Sequence, residues 1–314
     1  MRRSATATTA AALAALLLLA GCASDEGDAE PAETPTATEA ESPGADGGNA
    51  PEDVAALEGI TVEGEAGAEP TLTFEQPLNV SESAAVVASP GDGEEIVEGQ
   101  LLVVDFIQVN GENGEVLDST YEGEPQPLVV SDEMTVPALN DVLIGQQVGA
   151  RVLFASPTQA SAAIMALEVV DARSRAEGAA VDVPENVPAV TLAENGEPSI
   201  AAVDGEAPTE LVVAPTIEGE GDVVEEGDYV FVQYSGWLWD GTSFDSSWTK
   251  GTPFSLEAGA GQVIEGWDTG LIGQSVGSQV VMVIPPELGY GDEDNGPIPG
   301  GSTLVFVVDI LYAG

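Results

Sequence analysis

The sequence predicts an α+β fold in which two related domains, each an antiparallel sheet wrapped around a short helix, follow a signal peptide and an acidic tether. Three observations carry this. An internal repeat recurs at a spacing of 128 residues. Runs of β-branched and aromatic residues of strand length lie between Gly and Pro breaks. One short stretch, 264–272, places Ile264, Trp267, Leu271 and Ile272 at a spacing that suits one buried helical face. The length of 314 residues leaves room for about two domains plus tails.

Charge and composition exclude several functions. With 55 Asp and Glu against 6 Lys and Arg, the formal net charge is −49. Phosphate backbones and anionic headgroups are both bound by Lys and Arg, so nucleic acid and membrane surfaces are excluded as direct partners. The absence of histidine and the single cysteine remove His-based acid/base catalysis, Ser/His and Cys/His pairs and the usual zinc ligand sets. No internal disulfide can form.

Taken in order, Met1-Arg2-Arg3 and the apolar run 11–20 read as a secretion signal, too short to span a bilayer. Cys22 follows Leu19-Ala20-Gly21, which resembles the bacterial lipoprotein signal, where the cysteine is lipidated. Residues 1–21 are therefore expected to be a lipoprotein signal peptide. Residues 22–54, rich in Ala, Glu, Asp, Pro, Thr and Gly, form a disordered acidic tether by this reading.

The repeat sets the domains, expected at 55–174 and 180–314. Residues 99–106 (GQLLVVDF) lie over 227–234 (GDYVFVQY), and 143–149 (LIGQQVG) over 271–277 (LIGQSVG), six identities in seven. Val169-Val170-Asp171 lies over Val307-Val308-Asp309 once ten residues are missing from the first copy. In the second copy, 229–234, 280–284 and 303–311 read as strands. Gly266 and Gly270 make 264–272 a poor helix alone, so packing must hold it. Of 16 aromatic residues, 12 fall between Tyr229 and Tyr312, an excess that points to an apolar ligand cavity there.

The second copy resembles the FKBP family of macrolide-binding peptidyl-prolyl isomerases. The resemblance runs from about Gly227 to the C-terminus. It rests on Tyr234-Ser-Gly, Asp240-Gly-Thr-Ser-Phe244-Asp245-Ser-Ser, Pro253-Phe254, Val263-Ile264-Glu-Gly-Trp267, Gly289-Tyr290-Gly291, Ile298-Pro299 and Ser302-Thr-Leu-Val-Phe306. It implies Trp267 as the pocket floor, with Tyr234, Phe244, Phe254, Val263, Ile264, Ile298 and Phe306 as walls. Asp245 and the Tyr290 hydroxyl are implied as its polar groups, and the Ile264 N–H as the donor to a ligand carbonyl. Tyr234, Phe244, Asp245, Trp267, Tyr290 and Phe306 are the expected catalytic set. Phe254, Val263, Ile264 and Ile298 are expected to bind substrate. Asp245 is read as positioning and hydrogen-bonding, or alternatively as no more than a turn cap. No cofactor or metal is called for, and the acidic run Asp292-Glu293-Asp294 lacks the spacing of a calcium loop.

The first copy reads as a degenerate FKBP-like domain. Leu139, Leu117, Gln126 and Phe106 stand where Trp267, Phe244, Phe254 and Tyr234 do, Asp118 remains, and the segment bearing Tyr290 and Ile298 is missing. The leading expectation is a peptidyl-prolyl isomerase that assists folding of secreted or envelope proteins, extracytoplasmic and lipid-anchored to the bacterial cell membrane. Its partners are then proline-containing unfolded or secreted polypeptides, with a macrolide as a further implied ligand. The rival is a non-catalytic proline-peptide adapter or chaperone. A solute-binding lipoprotein fits the anchor but not the repeat.

Overall fold

Two antiparallel sheets organise the described chain, and their strands carry apolar runs because both faces of each sheet are covered. The computed structural model describes residues 49–131, 135–184, 187–202 and 205–314. Its first half contains α1 (Pro51–Glu58), β1 (Thr61–Glu63), β2 (Thr71–Thr73), β3 (Ala84–Ser89), β4 (Leu101–Asn110), β5 (Val116–Ser119), β6 (Gln126–Val129), α2 (Pro137–Leu143), β7 (Arg151–Pro157) and β8 (Ala162–Arg173). The second half contains β9 (Ala179–Ala180), β10 (Val190–Leu192), β11 (Pro198–Ile200), β12 (Val212–Glu218), β13 (Tyr229–Leu238), β14 (Ser243–Ser246), α3 (Ser247–Lys250), β15 (Phe254–Glu257), α4 (Glu265–Leu271), β16 (Gln279–Ile284), a 3-10 turn (Pro286–Leu288) and β17 (Leu304–Ala313). This is the expected α+β class. Cys22, the signal peptide and most of the tether lie outside the described residues.

The sheets follow one plan. The first runs β3-β7-β8-β4-β5 with β6 also on β4; the second runs β9-β12-β16-β17-β13-β14 with β15 also on β13. Val104 faces Gln126 as Val232 faces Phe254, and the bridge Glu95–Gln147 has its counterpart in Val223–Ser275. The expected gap of ten residues is corrected by the last strand. Arg151 pairs with Glu168 where Gln279 pairs with Asp309, so the offset between copies is 128 before the final loop and 141 after it, a difference of thirteen. The matched valines misled the alignment because a valine-rich strand matches itself in several registers. A turn at 158–161 closes β7 to β8, whereas 285–303 joins β16 to β17.

Alternation along β16 and β17 separates two cores. Val280, Met282, Ile284, Phe306, Val308 and Ile310 face α4, and Trp267 and Leu271 of α4 pack on them. Val281, Val283, Val305 and Val307 face the other way and are covered by Val183, Val187, Val190 and Ile200. The first sheet repeats this with α2 on one side, and Leu57, Ile60, Leu78 and Val80 on the other. Each sheet therefore wears a segment of its own preceding chain across the face opposite its helix.

The tether boundary is corrected here. Helix α1 starts at Pro51 with Asp53 and Leu57 buried, so 51–54 belong to the folded part. Asp53 Oδ1 accepts the Ser81 N–H at 2.9 Å, and Oδ2 accepts the Ser81 hydroxyl at 2.8 Å and the Glu82 N–H at 3.0 Å. Burial alone would raise this carboxyl; the donors of Ser81 and Glu82 together hold it below the ordinary value.

The glycines of α4 show how packing holds this helix, as expected, while one residue of its expected apolar face departs from the reading. A Cβ on Gly266 would lie 2.5 Å from Ile284 Cγ2, and one on Gly270 would lie 2.6 Å from Met282 Sδ. Both are buried, and they let the helix approach β16 closely, whereas Ile272 of the expected apolar face is exposed. What weakens the helix in isolation is what seats it.

Candidate active site

The residues singled out by sequence converge on one end of the second sheet. β13 supplies Tyr234, β17 supplies Phe306, β14 supplies Phe244 and Asp245, β15 opens on Phe254, and α4 brings Trp267. Trp267 stands edge-on to three rings, at 5.3 Å from Tyr234, 5.2 Å from Phe306 and 6.1 Å from Phe254, with interplanar angles of 90°, 87° and 86°. Phe244 meets Phe306 in the same manner at 5.5 Å. Edge-to-face contact suits the ring quadrupoles and fixes each plane. Ile298 is buried in the same cluster, and Val263 and Ile264 pack against it. Trp267 and Phe306 are each 4 % exposed, whereas Phe254 is 38 % and Tyr290 40 % exposed, so the floor is dry and the rim meets solvent. Tyr290 lies outside the ring contacts, with its hydroxyl raised by burial and by the Asp245 charge.

The polar side of the cluster is a tight network. The Tyr234 hydroxyl donates to Asp245 Oδ2 at 2.5 Å, and Asp245 Oδ1 accepts the Ser246 N–H at 2.9 Å. Lys250 Nζ lies 2.7 Å from Asp245 Oδ1, donates to the Tyr234 hydroxyl at 3.2 Å and sits 5.6 Å from the Tyr234 ring centre. Burial would raise the Asp245 carboxyl, but Lys250, Tyr234 and Ser246 outweigh it and hold it below its ordinary value. The Tyr234 hydroxyl is pushed up to about 12, by burial first and then by its bond to Asp245. The Lys250 ammonium is raised, chiefly by Asp245. At neutral pH the phenol stays protonated and the carboxylate ionised, which makes them orienting groups and not partners in proton transfer.

Lys250 escaped the sequence reading, although it is the only lysine in the chain. So did Ser247, whose hydroxyl accepts the Tyr234 N–H at 2.8 Å and donates to Gln233 Oε1. Aromatic residues are also spread more widely than the cavity reading allowed. Trp237 and Trp239 belong to the opposite face, and Phe231 and Tyr312 pack against Leu101, Val129 and Leu311.

The first sheet shows what the same plan does without these side chains. Asp118 accepts the Ser119 N–H at 2.9 Å as Asp245 accepts that of Ser246, so this turn bond is common to both copies. Phe106 offers no hydroxyl, and the stretch 120–125 has no basic residue. Leu139 and Phe106 are buried together with Met165, the counterpart of Phe306, packed against them, while Leu117 is 53 % exposed.

Comparison with known proteins agrees with this geometry. The family model described as FKBP-type peptidyl-prolyl cis-trans isomerase matches residues 221–311. An FK506-binding protein of Streptomyces anulatus is 42 % identical over 118 residues, covering 37 % of this chain and 95 % of that protein. FK506-binding protein 2 of Emericella nidulans is 52 % identical over 87 residues, 27 % of this chain and 64 % of the relative. Peptidyl-prolyl cis-trans isomerase FKBP2 of Mus musculus is likewise 52 % identical over 87 residues, 27 % of this chain, and the match spans 62 % of its length. With residues 221–311 carrying this match, the chain belongs to the family of FKBP-type peptidyl-prolyl cis-trans isomerases.

Proposed function

We propose that the second domain accelerates cis-trans isomerisation of X–Pro bonds in unfolded secreted or envelope polypeptides, and that the first domain has no isomerase site of its own. The observation that carries this is the aromatic cluster: a buried Trp267 floor with Tyr234, Phe254 and Phe306 edge-on around it and Asp245 pinned at one side. Rotation about an X–Pro bond breaks no covalent bond; the obstacle is amide resonance, a barrier of ~18–20 kcal/mol. At the transition state the amide is twisted, and its carbonyl is less polarised and less strongly solvated. A dry aromatic floor binds that form better than the planar one, and each ~1.4 kcal/mol of such preference is worth tenfold in rate. No nucleophile or proton carrier is required, which suits a chain without histidine.

In this reading Asp245 and Lys250 hold the Tyr234 ring in place beside the substrate, and Tyr290, exposed at the rim, donates to it. The lipoprotein-like signal ending at Cys22 supports an extracytoplasmic, membrane-tethered site of action, where unfolded exported chains are the available clients. The test is the relaxation rate of a proline-containing peptide with the full chain beside Tyr290→Phe. Acceleration that falls in the variant supports the reading. Binding of the peptide without acceleration by the wild-type chain supports a proline-peptide adapter instead.

A further inference from the structure

Gly99 enters β4 with a φ of 84°, and a Cβ placed on it would lie 2.6 Å from the carbonyl oxygen of Gly251. The first domain thus reaches the second at the turn that ends α3, directly after Lys250 and just before Phe254 opens β15. The surrounding contact is substantial. Leu101, Val129 and Leu311 are buried together with Phe231 and Tyr312 against them. The Tyr312 hydroxyl donates to the Pro125 carbonyl at 3.1 Å, and Arg173 Nη1 donates to the Leu311 carbonyl at 2.8 Å. In β13, Phe231 faces the first domain while its neighbour Val232 pairs with Phe254. The strand pair that docks on the first domain is therefore the pair that carries the pocket wall.

We propose that the first domain acts in cis as a support for the isomerase pocket. Its Gly99 turn holds the 247–254 segment directly, and its Leu101–Val129 face holds Phe231 of the strand on which Phe254 pairs, so that Lys250 and Phe254 stand against Tyr234. This rests on the isomerase reading above. Helix α3 is a single turn of four residues, ended by Gly251 in the left-handed conformation at φ 80°. One helical turn has no stability of its own, and such segments sit at the low end of local stability unless something packs on them. Gly99 makes the close approach possible because it has no side chain to keep the Gly251 carbonyl away. Gly99 is in this sense a positioning residue; it touches no substrate.

The repeat supplies an internal control. Gly227 is the counterpart of Gly99 in the second copy, with φ 98°, and a Cβ there would have nothing within 4 Å. Alanine at either position meets the same left-handed backbone penalty, but only at Gly99 does it also press on Gly251. The experiment compares the full-length chain with Gly99→Ala, Gly227→Ala and Tyr312→Phe. It reads KM and kcat on a proline peptide, together with the amide NMR signals of Lys250 and Phe254. In Gly99→Ala we expect KM to rise about threefold or more, within the range of coupling between contacting groups, with both amide signals shifted. Tyr312→Phe, which loses only the bond to Pro125, moves the same signals less, and Gly227→Ala leaves KM and both signals as in the wild type. Equal behaviour of the two alanine variants, or unmoved Lys250 and Phe254 signals in Gly99→Ala, overturns the proposal. A wild-type chain that does not accelerate the peptide overturns the isomerase reading; the NMR signals still report separately whether the contact positions the segment.

Discussion

The Tyr234 hydroxyl donates to Asp245 at 2.5 Å and receives the Lys250 ammonium at 3.2 Å, so one phenol joins the carboxylate of the site to the only lysine of the chain. The Ser246 N–H already satisfies the local turn, as its counterpart does in the first domain. The second copy adds three contacts, Tyr234 to Asp245, Lys250 to Tyr234 and Lys250 to Asp245. Tyr234→Phe removes the first two while keeping the ring against Trp267. A hydrogen bond to a charged group is worth ~1.5–3 kcal/mol, and if half of that is felt by the bound transition state, kcat/KM falls about tenfold or somewhat less. Peptide kinetics on the variant check this; an unchanged kcat/KM would show that the bonds of the Tyr234 hydroxyl do not reach the transition state.

Helix α4 gives a test in which propensity and packing disagree. Alanine is a better helix former than glycine by about 1 kcal/mol. At Gly266, however, the added Cβ meets Ile284 Cγ2 at 2.5 Å in a fully buried layer. Overpacking of this kind costs about 1–3 kcal/mol, so Gly266→Ala is expected to lower stability in urea unfolding. A gain in stability would show that the helix is held by its own propensity.

Asp309 predicts a pH dependence with a definite sign. It is 1 % exposed, accepts the Ala176 N–H at 2.8 Å and the Gln279 Nε2–H at 2.7 Å, and faces the Arg175 charge across the segment joining the domains. Burial raises its carboxyl to about 6, against the opposing effects of Ala176, Gln279 and Arg175. A group raised on folding binds more protons folded than unfolded, so its contribution is fully present below the ordinary carboxylate value and is lost as pH rises through about 6. Wild type minus Asp309→Asn isolates it from the other carboxylates. The difference in unfolding free energy is expected to move against the wild type by ~2–3 kcal/mol between pH 4 and pH 7. A difference independent of pH would contradict it.

The charge of −49 predicts substrate preference. Asp292, Glu293 and Asp294 are exposed on the segment that also carries Tyr290 and Ile298. Peptides with lysine beside the proline should be turned over more efficiently than those with glutamate, and added salt should erase most of the gap as the Debye length shrinks below ~8 Å. Competition between the two peptides at low and high salt measures it; a gap insensitive to salt would assign the preference to packing.

Much of the architecture was legible in the sequence because the repeat and the β-branched runs are local signals. The crowding of aromatic residues in one copy pointed to a cavity there, and Tyr234, Phe254, Trp267 and Phe306 could be named because the motifs around them resemble those of the FKBP family. What stayed hidden depends on pairing at a distance. The residues that cover the outer faces, such as Val183, Val187 and Val190 or Leu57 and Ile60, lie in segments with sparse apolar residues and no period. The slip that pairs Glu168 where Asp309 stands is invisible in runs of valine. Lys250 carries no motif, and its meaning comes from lying 2.7 Å from Asp245. The one signal for it was scarcity, since it is a lone lysine among 55 acidic residues.

The most direct measurement is the cis-trans relaxation of a proline peptide with the full chain and with Trp267→Leu, which gives the second domain the residue that Leu139 already provides in the first. Clear acceleration by the wild type and a loss of about tenfold or more in the variant, or ~1.4 kcal/mol of transition-state binding, is the predicted result. Acceleration that survives the substitution unchanged would place the activity somewhere other than the aromatic floor, and no acceleration by the folded wild-type chain would contradict isomerase function outright.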